Sequence, residues 1–213
     1  IPPSWDLKGH VIVDAQENFV PVQLLANGSL VFIAKEVPPL GSKIYRIRAG
    51  ELQPFSPQPR KNRLANDRIS LQISEETGQI YLLRDHELNR ELVDVSSGFG
   101  LNHYIYTGQN AANPRSNGLT DLELIEDGPV LQSITVHSSA PGCTDMIRKI
   151  TLINDINWVE ISNYLEKNNL FEKENVRFAF PFKVPEGKMI VDLAWGVMEP
   201  EKDQLKGSNK NFF

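Results

Sequence analysis

Cysteine is nearly missing from this chain: Cys143 is the single one among 213 residues. One thiol closes no intrachain disulfide and builds no cysteine-based zinc site, and it leaves the redox compartment open. Long apolar runs are missing too, since no stretch approaches the roughly 20 residues that carry a helix across a bilayer. An excess of positive charge is also lacking. Lys and Arg number 22 against 27 Asp and Glu, for a net charge of −5. Phosphate backbones are held by basic faces, so neither nucleic acid nor a membrane is expected as a partner. The four histidines, His10, His86, His103 and His137, never fall at the His-x-x-x-His spacing of a helical metal site. A Gly-x-Ser-x-Gly elbow and a phosphate loop are absent as well. No helix longer than two turns is predicted by the apolar pattern.

What the chain has instead is two-residue alternation. Val11-Ile12-Val13 and Leu30-Val31-Phe32-Ile33 are β-rich runs with Asn27-Gly28, a favoured tight-turn pair, between them, and a short strand follows around Ile44 and Ile47. Pro54, Pro57 and Pro59 crowd a stretch that cannot lie inside a sheet, so residues 54–61 read as a linker after a small β domain over 1–53. From residue 62 the alternation becomes regular. Ile69, Leu71 and Ile73 share a face, a turn follows at Glu75 to Gly78, then come Ile80 to Leu83 and a second turn over Asp85 to Asn89. Leu122 and Leu124 precede the Asp127-Gly128-Pro129 turn, and Ile134 and Val136 follow it. Met146, Ile150 and Leu152, then Val159, Ile161 and Leu165, and finally Val176, Phe178, Phe180 and Phe182 continue the pattern. Each such strand hides one face and wets the other, as antiparallel sheets do. An all-β sandwich over 62–213 is the expected fold. Trp158 and Trp195 sit in apolar strands and are expected in the core.

Candidate chemistry is sparse. His86, between Asp85 and Glu87, reads as a solvated turn rather than a metal ligand. His103 and His137 fall in strand-like runs and read as structural, and Asp121, Glu123, Glu126 and Asp127 read as the wet side of one strand and its turn. The polar stretch 107–118 reads as a loop, and loops on rigid β scaffolds carry binding. Asn102, Tyr104 and Tyr106 share a face beside it. Aromatic rings stack on pyranose C–H faces while amides and hydroxyls read the sugar hydroxyls, so these three are the candidate carbohydrate contacts. Asn27-Gly28-Ser29 fits a glycosylation acceptor and equally a hairpin turn.

Several stretches resemble the C-terminal part of glycoside hydrolase family 38, the α-mannosidases. Leu30 to Ala34 leading into Val37-Pro38-Pro39-Leu40-Gly41 is similar to that family's small β domain. Thr77-Gly78-Gln79-Ile80 with Asp85-His86-Glu87-Leu88-Asn89-Arg90-Glu91-Leu92 resembles its Asp-Lys-Glu-Leu-Gly-Arg-Glu-Leu hairpin, with His86 and Asn89 standing for lysine and glycine. Asn tolerates the left-handed backbone that glycine supplies, so this turn should survive. Asp127-Gly128-Pro129-Val130, Val176 to Phe182 and Ala194-Trp195-Gly196-Val197 extend the likeness across nearly the whole chain.

The resemblance implies a galactose-mutarotase-like supersandwich from about residue 62, truncated at its C-terminal end. It also implies a parent enzyme that hydrolyses α-mannosides with retention. In that family the zinc ion and the attacking aspartate belong to an upstream α/β domain, so no catalytic or metal-binding residue and no cofactor is expected here. The implied partners are that catalytic domain and an α-mannoside. The chain opens on Ile1-Pro2-Pro3 and closes on Asn211-Phe212-Phe213, which reads as a piece of a longer polypeptide that exposes an apolar face and self-associates. An independent carbohydrate-binding module is the alternative. A free-standing aldose mutarotase or epimerase is a further one, and it would need His103, His137 and an acid within hydrogen-bond reach of one another.

Overall fold

The alternation seen in the sequence becomes antiparallel pairing in the computed structural model, which describes residues 9–51, 55, 61–109, 113–200 and 202–205. Five short strands come first: β1 (His10–Val13), β2 (Phe19–Val20), β3 (Val22–Leu24), β4 (Leu30–Phe32) and β5 (Arg46–Ala49). β1 pairs with both β2 and β5, and β3 pairs with β4. The Asn27-Gly28 turn therefore joins β4 to Val22-Gln23-Leu24, a strand too short to stand out behind Pro21. Gly28 takes the left-handed conformation at φ 81°, and the Asn27 side chain accepts the Ser29 amide at 2.9 Å. Hairpin chemistry accounts for this triplet. Ile12, Val22 and Leu30 form a small core, against which Phe32 and Tyr45 pack with ring centroids 5.0 Å apart. The expected linker over 54–61 lies outside the described residues except for Phe55 and Lys61.

Two four-stranded sheets build the sandwich. One runs in the order β6 (Arg63–Ala65), β7 (Ile69–Ile73), β8 (Ile80–Asp85), β9 (Arg90–Glu91). After β10 (His103–Thr107), the other runs β11 (Thr120–Asp127), β12 (Leu131–Ala140), β13 (Cys143–Ile153), β14 (Val159–Lys167). Leu64, Ile69, Leu71, Ile73 and Ile80 of the first sheet meet Leu122, Ile134, Val136, Ile150 and Leu152 of the second in one buried cluster. Each such side chain contributes about 1.5–3 kcal/mol when removed from water, so this layer is the main source of stability. Gly78 at φ 68° and Asn89 at φ 51° close the two turns, the latter bearing out the expectation that asparagine can stand where glycine is usual. One short 3-10 turn, Val95–Ser97, is the only helical segment among the described residues; the Asp94 carboxylate caps it by accepting the Ser96 amide.

β10 pairs with β15 (Asn175–Ala179) to form a two-stranded sheet over a second cluster of Tyr104, Tyr106, Ala140, Cys143 and Met146. Val176 and Phe178 pack on this cluster, whereas Phe180 and Phe182, beyond the strand, are exposed. The expectation that Trp158 and Trp195 are core residues fails. Trp158 is 58% exposed where the chain enters β14, which among the described residues is an edge strand paired only with β13. Trp195 stands fully exposed in the tight turn between β16 (Val191–Leu193) and β17 (Gly196–Met198), with φ 74°. The chain divides into two compact units between Phe182 and Lys183, β1 to β15 in the first and β16 with β17 in the second.

Within the first unit, β3 is fastened to the Asp127-Gly128-Pro129 turn by one side chain. Gln23 Oε1 accepts the amides of Val130 and Leu131 at 3.1 and 2.9 Å, and its Nε2 donates to Glu126 at 3.3 Å. Glu126 also accepts the Ala26 amide at 2.8 Å. This carboxylate was expected on a wet face, but the register slips between Leu124 and Glu126, and that bulge turns it inward. Asp121 and Glu123 stay exposed.

Candidate functional site

The three residues singled out in the sequence lie inside the fold. Asn102 and Tyr104 have no exposed surface and Tyr106 has 5%. Asn102 takes φ 61° and exchanges a reciprocal amide pair with Asn163 of β14, both bonds 2.8 Å. Tyr104 donates its single hydroxyl proton to the Pro141 carbonyl at 2.6 Å, which leaves the Cys143 thiol, 3.7 Å away, as the donor of that pair. Burial, with the thiol beside it, pushes the Tyr104 hydroxyl well above the ordinary phenol range. These side chains share one face, as alternation requires, and it is the packed face.

Next to Asn102 the sandwich buries a cation. Arg148 of β13 is fully buried, donating to the Thr77 carbonyl at 2.9 Å and to the Asn102 carbonyl at 3.4 Å. No carboxylate pairs with it among the described residues, and desolvation alone brings its pKa down to about 10. His103 sits close enough to feel that charge, and burial first, then Arg148, lower its basicity. His137 is exposed and neighbours Val136, which stands opposite Arg148 in the ladder, so His137 points to the other side of the sheet. The two histidines do not converge as a mutarotase would need. His86 is exposed in its turn, as expected. Among the described residues no three His, Cys, Asp or Glu side chains gather as a metal-ligand set.

Among the described residues, two concave surfaces are lined by both lysines and carboxylates. The first, about 290 Å³, lies between the N-terminal strands and the sandwich, with Asp14, Lys35, Lys43, Tyr45 and Asp155 among its lining. Its polar groups are already committed to one another. Lys35 pairs with Asp155 at 2.7 Å, Lys43 and Tyr45 both donate to the Lys35 carbonyl, and Asp14 accepts from Gln16 and Asn18. This cleft is a joint.

The second, about 680 Å³ and wide open, is formed by residues 107–109 and 171–175, where β10 ends and β15 begins. Glu174 anchors it: Lys167 donates to its carboxylate at 2.6 Å, and that contact, with the Tyr106 hydroxyl, holds the carboxyl below the usual range. Tyr106 in turn lies under Arg115 and Lys167, 5.0 and 5.8 Å from its ring centroid. Of the three predicted contacts, Tyr106 alone touches a residue of this groove, through its hydroxyl and Glu174, and it does not itself line the surface. Phe171 stands 99% exposed on this groove. Sequence reasoning missed Phe171 and Glu174, although one aromatic inside the polar run from Glu166 to Asn175 is the signal that marks them.

Comparisons with known proteins can be set beside this geometry. A protein in glycosyl hydrolase family 38 from Enterococcus faecalis has a similar structure, with a TM-score of 0.57 and 13% sequence identity, over 82% of this chain and 27% of that one. An alpha-mannosidase from Enterococcus faecalis V583 gives a TM-score of 0.59 at 13% identity, over 83% of this chain and 26% of that one. The chain thus spans about a quarter of the length of these solved structures. No curated protein matches it. Residues 64–212 match the family described as Glycosyl hydrolases family 38 C-terminal domain, and the chain belongs to that family.

Proposed function

We infer that this chain is a non-catalytic domain of an α-mannosidase-type glycosyl hydrolase: it supports a catalytic domain carried elsewhere in the polypeptide and touches carbohydrate at its surface. The observation that carries the reading is the family match over 64–212, a C-terminal domain by description. Retaining glycoside hydrolysis needs two carboxyl groups about 5–5.5 Å apart across the scissile bond, one as nucleophile and one as acid. The most buried glutamate, Glu126, is instead committed to Gln23 and the Ala26 amide as a structural clasp. The zinc ion that the family resemblance implies belongs with the catalytic domain, and no step of its chemistry is assigned to the residues described here.

The surface supports a partnered domain. Trp158, Tyr164, Leu170, Phe180 and Phe182 of the first unit are all more than 45% exposed, an apolar area that a covering domain would remove from water. The gene is the direct test. The coding sequence on the N-terminal side of Ile1 is expected to encode a domain with an Asp/His zinc site; a start codon close to Ile1 would refute the reading.

A further inference from the structure

We propose that Asn27 is a site of spontaneous covalent modification, where the Asn27-Gly28 turn converts to aspartyl and isoaspartyl forms and so loosens the contact between Gln23 and Glu126. The inference holds whatever this chain binds or supports.

The chemistry is intramolecular. The Gly28 backbone nitrogen gives up its proton to solvent and attacks Cγ of Asn27. The side-chain amide nitrogen leaves as ammonia, and a five-membered succinimide ring remains. Water then opens the ring at either carbonyl. One opening gives aspartate, and the other routes the main chain through the side chain as isoaspartate. No electrons change hands, and water is the only co-reactant. A glycine in the second position eases ring closure, because no Cβ obstructs the attacking nitrogen.

Two Asn-Gly pairs occur in the chain, Asn27-Gly28 and Asn117-Gly118, and the fold treats them differently. Asn117 is half-buried, and its side-chain amide donates to the Gly118 carbonyl at 2.8 Å. The Gly118 N–H is tied across to the Ser139 carbonyl of β12 at 2.9 Å, and a Cβ on Gly118 would collide with Ser139 Oγ. That pair is pressed against the sheet, with its nucleophile engaged.

Asn27 instead stands exposed at the tip of the hairpin between β3 and β4, strands of three residues each. The Gly28 N–H donates to the Leu25 carbonyl of the same turn at 2.8 Å, and a short hairpin tip opens at small cost. Asn27 Oδ1 accepts the Ser29 amide at 2.9 Å, so a backbone donor already polarises Cγ and sits where the oxyanion of the attack develops. Among the described residues the Asn27 side-chain nitrogen has no hydrogen-bond partner, which leaves the departing ammonia unrestrained.

The product acts on the neighbouring fastening. Ala26, next in the chain, donates its amide to Glu126 at 2.8 Å, and Gln23 of the same hairpin holds Glu126 together with the Val130 and Leu131 amides. Aspartate at position 27 sets a negative charge one residue from the Glu126 contact. Isoaspartate adds a methylene to a turn whose length fixes the pairing of β3 with β4.

The test is to age the 213-residue chain in mildly alkaline buffer, folded and in urea, and to map its peptides by mass spectrometry. Labelling by an isoaspartyl methyltransferase reads the isoaspartyl share. In the folded chain, conversion at Asn27 is expected to be about tenfold faster than at Asn117 or more, the ratio that a difference of about 1.4 kcal/mol in opening cost produces. In urea the two rates should converge. Aged wild-type chain should melt at a lower temperature than fresh chain. N27S keeps an oxygen for the Ser29 amide but has no amide to lose, so ageing should leave its melt unchanged. Equal folded-state rates at the two pairs, faster conversion at Asn117, or an Asn27 that converts only in urea would overturn the site. Conversion at Asn27 that leaves the melt unaltered would overturn its link to the Glu126 contact.

Discussion

Replacing Gln23 with alanine perturbs one of the main fastenings between the N-terminal strands and the sandwich. The wild-type amide satisfies two backbone N–H groups, those of the buried Val130 and the half-buried Leu131, and donates to the Glu126 carboxylate. A hydrogen bond to a charged group is worth about 1.5–3 kcal/mol, and each backbone donor left dry costs about 1–3 kcal/mol. Water will reach the Leu131 amide, which lowers the sum, so a loss of about 3 kcal/mol is expected. For a chain of this size that is a fall in Tm of roughly 6–12 °C. Gly128 reports on the same contact from the other side, because a Cβ there would lie 2.2 Å from Gln23 Cδ. G128A should therefore destabilise too, and its effect should largely vanish in the Q23A background, as coupled neighbours require. Urea melts of the two single variants and the double variant measure this. A Q23A loss below about 0.5 kcal/mol, or strict additivity with G128A, would refute the clasp.

Other consequences follow from the same physics. The lowered basicity of His103 means that the unfolded chain takes up its proton more readily, so stability should fall as the pH drops below about 6.5, the ordinary histidine value, toward the folded-state value. H103Q should flatten that part of a Tm-against-pH profile; an unchanged slope would contradict the assignment. R148A opens a cavity in the sandwich and should cost about 2–5 kcal/mol, whereas R148M, which keeps most of the volume without the desolvated charge, should cost less. Equal losses in denaturant melts would show that the guanidinium itself is required. N89G should be neutral to slightly stabilising and N89V destabilising by about 1–2 kcal/mol, because the position holds φ 51°. The exposed apolar side chains predict self-association, so sedimentation of the isolated chain should show species larger than a monomer.

The strands were legible because their alternation is driven by burial on one face, and the sheet cluster from Leu64 to Leu152 is the set of residues whose pattern announced it. Turns were legible where a special backbone conformation forces the residue type, as at Gly28, Gly78 and Asn89. What the sequence hid was the direction each face looks. Asn102, Tyr104 and Tyr106 were rightly placed on one side of a strand, but alternation alone does not distinguish a packed side from a ligand-binding one: Ala140, Cys143 and Met146 pack on the two tyrosines, and Asn163 of β14 meets Asn102. Glu126 escaped notice because a bulge breaks the period that a strand reading assumes. Trp158 and Trp195 misled because apolar neighbours in sequence do not reveal that β14 lies at a sheet edge or that β16 and β17 form a two-stranded hairpin.

We propose that this chain serves a glycosidase without performing its chemistry. Incubating the purified chain with 4-nitrophenyl α-mannopyranoside and zinc, and following nitrophenolate release, tests that claim directly. A rate indistinguishable from buffer is expected at any protein concentration. Release that saturates with substrate and scales with protein, in preparations free of other mannosidase, would contradict it.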